Sequence, residues 1–275
     1  KVALGHDYLL VMRGAERTFA EMAACRPAEP IYTTLYSEEG TGGAFRGREI
    51  VTSPLARIGA DQSRFRALLP LFPLAASRLR PAGFDLLVTS SSAFAIGMRP
   101  SPGTFHACYC HTPFRYAHHE RARALTEVHP FARPALAATL SAIRRSDLRA
   151  ARRVDAFIAN SETTRARIAA VYGRDSVVVH PPVAVDRFAG AQSPPAGEPY
   201  LLCVSELVRH KGVELALEAA RLAGKRTVVV GSGPERDALE ARFGDEAEFR
   251  GRASDAELDR LYLGAEAVVV PTVEE

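Results

Sequence analysis

The chain has 275 residues, 47% of them hydrophobic and 24% charged, with a net charge of +3. This is ordinary globular composition, enough for about two domains, each with its own core. It excludes fibrous and disordered classes, and no apolar run approaches the ~20 residues of a membrane-spanning helix. The first residues read as a strand rather than a signal peptide, so the expected location is cytoplasmic.

The charge is unevenly spread. Residues 1–196 hold 25 Lys+Arg against 16 Asp+Glu, and residues 197–275 hold 10 against 16. A basic first part beside an acidic second part points to an anionic partner for the first, unless the arginines only line solvent faces. The cysteines, Cys25, Cys108, Cys110 and Cys203, form no disulfide framework and are expected as reduced thiols.

In chain order, residues 2–5 open as a strand that runs into His6, Asp7 and Tyr8. RGAER, from Arg13, then heads a helix with apolar Phe19, Met22 and Ala23. Gly14 sits where a backbone could approach a ligand closely. Residues 30–35 and 49–52 read as further short strands. Residues 63–81 interleave Phe65, Leu68, Leu69, Leu71, Phe72 and Leu74 with Arg64, Arg66, Arg78 and Arg80. That pattern fits either a core-facing helix or an interfacial segment whose cations meet anionic lipid.

Residues 84–90 predict a strand ending in Ser90, Ser91 and Ser92, and residues 104–110 predict one that delivers His111. Within the latter, His106, Cys108 and Cys110 share one face. Ligands at i, i+2 and i+4 along one strand are too spread out for a tetrahedral metal site, so no metal is expected there. A helix over 132–153, a strand over 154–159, a helix capped by Ser161 and a strand over 176–179 complete the first domain, residues 1–183. Residues 184–199 read as a linker.

The second domain, residues 200–275, opens with a strand over 200–204 and a polar turn over 205–211. In the next helix Val213, Ala216, Leu217 and Ala220 fall at i, i+3, i+4 and i+7. A strand over 226–230 runs into Gly231, Ser232, Gly233 and Pro234, with Pro234 suited to a first helical position. A strand over 246–250 follows, then a capping box of Ser254 with Glu257, a helix bearing Leu258, Leu261, Tyr262 and Ala265, and a strand over 267–270. The strand, turn and helix units put Lys211 at a helix start on the carboxyl side of a sheet, where anions bind. With four strands where such domains have about six, the second domain reads as incomplete at Glu275.

These islands resemble the retaining glycosyltransferases of family 4, and closely the bacterial branch that begins HDYL and RGGE. The resemblance rests on HDYL at His6, RGAER at Arg13, LLPLFPLA at Leu68, FDLLVTSS at Phe84, CYCHTPFRY at Cys108 and VDAFIANS at Val154. It continues with PPV at Pro181, LVRHKGVELALEA at Leu207, VVVGSGPER at Val228 and VVVPTVEE at Val268. It implies the α/β GT-B fold, two facing Rossmann-like domains, the amino-terminal one holding the acceptor and the carboxyl-terminal one a nucleotide-sugar.

Carried over by position, the resemblance implies that Lys211 meets the donor diphosphate and that Glu275, the first of the paired glutamates, touches the donor sugar. His111 lies near the transferred sugar, Gly14 and Ala15 beside the phosphates, and Gly251 and Arg252 by the base. Glu206 stands where relatives carry an arginine, which weakens anion binding unless Arg209 compensates. Ala15 replaces a glycine, and the sequence stops before the second glutamate. The resemblance further implies transfer of a hexose with retention, without metal or cofactor, to a polysaccharide or lipid-linked acceptor. GDP-mannose is the first expectation for the donor and a UDP-sugar the second. Contact with an anionic membrane is a further expectation, and nucleic acid is not a partner. The alternative is a non-catalytic binder of nucleotide-sugars or anions.

Overall fold

The structure is a computed structural model that describes residues 1–58, 68–188 and 198–272. The chain divides into two compact units, Lys1–Pro182 and Val183–Glu275. Glu275, most of the proline- and glycine-rich stretch after Phe188, and Arg64, Phe65 and Arg66 lie outside the described residues.

In the first unit the order is β1 (Val2–His6), α1 (Gly14–Ala24), β2 (Ile31–Thr33), β3 (Ile50–Thr52), α2 (Phe72–Arg78), β4 (Leu86–Ser91) and β5 (Phe105–Cys110). Then come α3 (Arg121–Thr126), α4 (Arg133–Ala151), β6 (Ala156–Ala159), α5 (Glu162–Tyr172) and β7 (Ser176–Val178). The seven strands pair in parallel in the order β3-β2-β1-β4-β5-β6-β7. Parallel strands need crossovers, and helices on both faces let strands such as β4 be apolar at successive positions.

The second unit contains β8 (Leu201–Val204), α6 (Val213–Leu222), β9 (Thr227–Val230), α7 (Arg236–Phe243), β10 (Ala247–Gly251), α8 (Asp255–Gly264) and β11 (Ala267–Val268). Its parallel order is β10-β9-β8-β11. The predicted stripe of α6 is the buried one: Val213, Ala216, Leu217 and Ala220 all face the core.

Several local expectations shift. Phe72 is fully buried and stacks on Phe94 at 5.0 Å, and Phe94 meets Phe114 at 5.1 Å, so this apolar row builds the core. Leu71 and Leu74, 43% and 56% exposed, are left on the surface near Arg78. Helix α7 starts at Arg236, not Pro234: its first i to i−4 bond runs from the Leu239 amide to Glu235 O at 3.0 Å, and the Arg236 amide closes a tight turn on Gly233 O at 3.1 Å. Ser161 caps α5 as predicted, its Oγ accepting from the Thr164 amide at 3.2 Å. Ser254 caps α8 likewise, but the Glu257 carboxylate stands 3.6 Å from Arg250 instead of closing the box.

Cys108 and Cys110 lie in the core with Phe157 and Ile168. His106, buried on the same strand, pairs with Thr89 Oγ1 at 2.9 Å. Among the described residues no group of three or more His, Cys, Asp or Glu is placed to hold a metal ion, and no helix is long and apolar enough to cross a membrane.

Candidate functional site

In an open parallel sheet, ligands bind beyond the carboxyl ends of the strands, where the strand order reverses. In the first unit that reversal lies between β1 and β4, and His6 and Ser90 are register partners there, at the last rungs of the two strands. Three side chains form a row. His6 Nδ1 lies 3.1 Å from Ser90 Oγ, and Ser90 Oγ lies 2.8 Å from His111 Nε2. At the far end, Glu16 Oε1, from the first turn of α1, stands 3.9 Å from His6 Nε2, a charge contact rather than a hydrogen bond.

The row is largely dry, with His6, Ser90 and Glu16 buried and His111 partly so. Burial, then the neighbouring His6, pulls the His111 pKa down to about 4, outweighing Asp7 and Glu16, so the ring is neutral at pH 7. Burial raises the Glu16 carboxyl, but its contact with His6 and the amides of Glu16 and Arg13 bring it below its ordinary value. Glu16 also accepts from the Arg13 amide at 3.0 Å, closing the start of α1.

Asp7 beside this row is an anchor. Its buried carboxylate accepts from Ser91 Oγ at 2.9 Å and from the amides of Ser92, Phe94 and Ala95 at 2.6, 2.8 and 2.5 Å. It thereby fixes the loop that leaves β4. Gly14 and Ala15 form the start of α1, one residue ahead of Glu16. A side chain at Gly14 would meet nothing within 4 Å, so the fold itself does not require a glycine there and the helix start is open.

In the second unit the order reverses between β8 and β11. Arg209 and Lys211 occupy a single 3-10 turn after β8, and Gly212, at φ +66°, is the N-cap of α6. A Cβ on Gly212 would come within 2.9 Å of Pro271 O, so the glycine allows the loop after β11 to lie against the Lys211 turn. The other loops are stitched in. The Ser205 amide donates to Val230 O at 3.0 Å, the Leu207 amide to Ser232 O at 3.0 Å and the Gly231 amide to Gly251 O at 2.7 Å.

Arg252 Nε donates to Ser232 Oγ at 3.2 Å, tying the loop after β10 to the one after β9. Gly231 is demanded by packing, since its Cβ would fall 1.8 Å from Ser205 O. The structure thus brings Arg209, Lys211, Gly251 and Arg252 to the same end of one sheet, and His111, Gly14 and Ala15 to the corresponding end of the other. Glu206, exposed in the β8 loop, puts a carboxylate among these cations. Sequence reasoning missed His6, Ser90 and Glu16, whose signal was their place at the ends of two adjacent strands and in the turn after the first.

Two parallel α/β units, each with basic or histidine side chains gathered at a strand-order reversal, define the class of GT-B glycosyltransferases. Residues 12–187 match Glycosyltransferase Family 4 and residues 186–275 match Glycosyl transferases group 1. The chain belongs to Glycosyltransferase Family 4.

Among solved structures it is similar to HepE of Anabaena, solved in complex with UDP, at 15% identity and a TM-score of 0.63 over 100% of this chain and 74% of that chain. It is similar to Os79 of O. sativa, also solved with UDP, at 13% identity and a TM-score of 0.51 over 98% and 80%. AviGT4, a glycosyltransferase involved in avilamycin A biosynthesis, aligns at 17% identity and a TM-score of 0.51 over 98% and 68%. A search of curated proteins finds no match.

Proposed function

We propose that the chain transfers a hexose from a nucleoside-diphosphate sugar to a polysaccharide or lipid-linked acceptor, with retention of anomeric configuration and without a metal. The observation that carries this reading is the convergence of Arg209, Lys211 and the Pro271 loop at the β8/β11 reversal. Cations and a helix start gathered at one sheet end stabilise a diphosphate in the ground state and more so as it leaves. Gly251 and Arg252 frame the base, Gly14 and Ala15 offer the open start of α1 to phosphate, His111 reads a hydroxyl of the transferred sugar, and Glu275 touches the same sugar. HepE and Os79, both solved with UDP, support a UDP-linked donor, and GDP-mannose remains the other donor to test.

The test is a panel of UDP- and GDP-sugars scored for binding, hydrolysis and transfer, with and without EDTA. Lys211→Ala is expected to weaken donor binding about tenfold or more, the loss of one charge-assisted contact. A panel in which no donor binds or is hydrolysed refutes the reading. Glu206 favours a second reading, a binder without turnover, because a carboxylate in the anion loop opposes a leaving diphosphate. Binding with no hydrolysis or transfer would select it.

Peripheral membrane contact belongs to the same proposal, through exposed Leu71 and Leu74 near Arg78. Co-sedimentation with anionic but not neutral vesicles, lost in a Leu71→Gln, Leu74→Gln variant, is the expected result. Equal recovery of the parent chain with both vesicle types refutes it.

A further inference from the structure

The row Glu16, His6, Ser90, His111 has a direction. A carboxylate 3.9 Å from His6 Nε2 favours the tautomer with its proton on that nitrogen, because the opposite one turns a lone pair toward a negative charge. His6 Nδ1 is then an acceptor, and the partner it faces is the Ser90 hydroxyl at 3.1 Å. With its O–H donated in a hydrogen bond to His6, Ser90 Oγ turns a lone pair to His111 Nε2 at 2.8 Å, and that contact is a hydrogen bond only if Nε2 carries the proton.

The other His111 nitrogen, Nδ1, has no partner among the described residues and is not among the sealed, unsatisfied atoms. The ring plane is held by Tyr109, edge-on at 5.2 Å.

We propose that Glu16 and Ser90, acting through His6, are positioning residues that fix His111 as the Nε2–H tautomer and so present its Nδ1 as a hydrogen-bond acceptor to a sugar hydroxyl. This rests on the reading that His111 meets the transferred sugar. It goes beyond that reading in assigning the side chains that set the polarity of the contact. A site that accepts at Nδ1 selects a hexose with a free hydroxyl at that position, because a deoxy or O-methyl sugar leaves the acceptor unpaired. None of the three residues needs to move or exchange a proton during transfer. Their effect is on orientation and on which atom carries hydrogen.

The experiment uses the full chain with 15N-labelled histidine, and reads from long-range proton–nitrogen correlations which ring nitrogen of His111 is protonated. His111→Gln assigns the signal. In the parent chain the proton is expected on Nε2. In Ser90→Ala the preference should collapse toward a mixture, and in Ser90→Thr, which keeps the hydroxyl, it should return. Glu16→Leu should act like Ser90→Ala, and Glu16→Gln, which keeps the shape but removes the negative charge, should weaken the parent preference in the same direction.

With the donor found active in the panel above, Ser90→Ala should lower kcat about tenfold, the loss of one oriented hydrogen bond, while Kd for the nucleoside diphosphate alone changes less than threefold. A His111 with its proton on Nδ1 in the parent chain, or one unchanged in Ser90→Ala, overturns the proposal. So does a Ser90→Ala chain that changes tautomer and keeps full kcat. Because the tautomer is read without any donor, failure of the donor panel and failure of the positioning row are separate results.

Discussion

Removing the Asp7 carboxylate should be strongly destabilising, and the cost can be worked from its four hydrogen bonds among the described residues. Two of its donors, the amides of Phe94 and Ala95, belong to residues that are 4% and 0% exposed and cannot turn to water. The Ser91 hydroxyl can rotate and the part-buried Ser92 amide can be hydrated, so they contribute little to the penalty. An orphaned buried donor costs about 1–3 kcal/mol, which puts Asp7→Ala at about 4 kcal/mol for the two amides.

Asp7→Asn can keep an oxygen in the Oδ1 position, which accepts from both buried amides, and turns its NH2 only toward the Ser92 amide, so a loss well below that of Asp7→Ala is expected. The chain has no tryptophan, so urea unfolding is best followed by far-ultraviolet circular dichroism, with amide exchange at Phe94 and Ala95 as the local probe. A loss under about 1 kcal/mol for Asp7→Ala, with both amides as slow as in the parent, would refute the reasoning.

Three further outcomes are expected. Gly231→Ala puts a methyl group 1.8 Å from Ser205 O at φ +146°, so the β8 and β9 loops must part; a loss of about 3 kcal/mol or more in urea unfolding, with weaker donor binding, is the check. Burial pulls the pKa of both His106 and His111 down to about 4. Unfolded histidines bind protons from about pH 6.5, so stability is complete above that value and is lost as pH falls toward 4, by about 3 kcal/mol per residue. Asp147, raised by burial, acts the other way at the acid end, and a flat stability curve from pH 7 to 4.5 counts against the burial of these rings. Finally, Cys25 is exposed while Cys108, Cys110 and Cys203 are buried with their thiols pushed up by burial, so Ellman's reagent should titrate one fast thiol in the native chain and four after denaturation.

The sheets were readable because each parallel strand is a short apolar run and each crossover helix carries its stripe, as in α6. The Ser161 cap was readable because its partner, the Thr164 amide, is three residues away. What could not be read is anything set by pairing across the sheet. His6 meets Ser90 and Asp7 meets Ala95 across 84 and 88 residues, pairings that spacing within either segment does not specify. The same holds for Glu257, where a capping box fits the spacing but Arg250, on the neighbouring strand, takes the carboxylate. The arginine-flanked row was ambiguous for a different reason. Its periodicity is that of any amphipathic segment, and only packing distinguished Phe72, in the core, from Leu71 and Leu74, on the surface.

Glycines were legible as turns and illegible as to purpose. Gly231 proved to be set by a neighbouring carbonyl, while Gly14 has open space where a side chain would be. A glycine the fold does not need is the better marker of a ligand's approach.

The basic residues of this chain are almost all arginines, and the lysines are Lys1, Lys211 and Lys225. Lys225 is held by both oxygens of Glu266, at 2.9 and 2.8 Å. Reductive methylation with isotope-labelled formaldehyde would therefore tag three side chains and the amino terminus, giving a spectrum of a few resonances. One of them sits in the turn assigned to the phosphates, and the others serve as internal standards. A chain so poor in primary amines therefore offers a direct test of the proposed anion site, requiring no mutation and no labelled ligand.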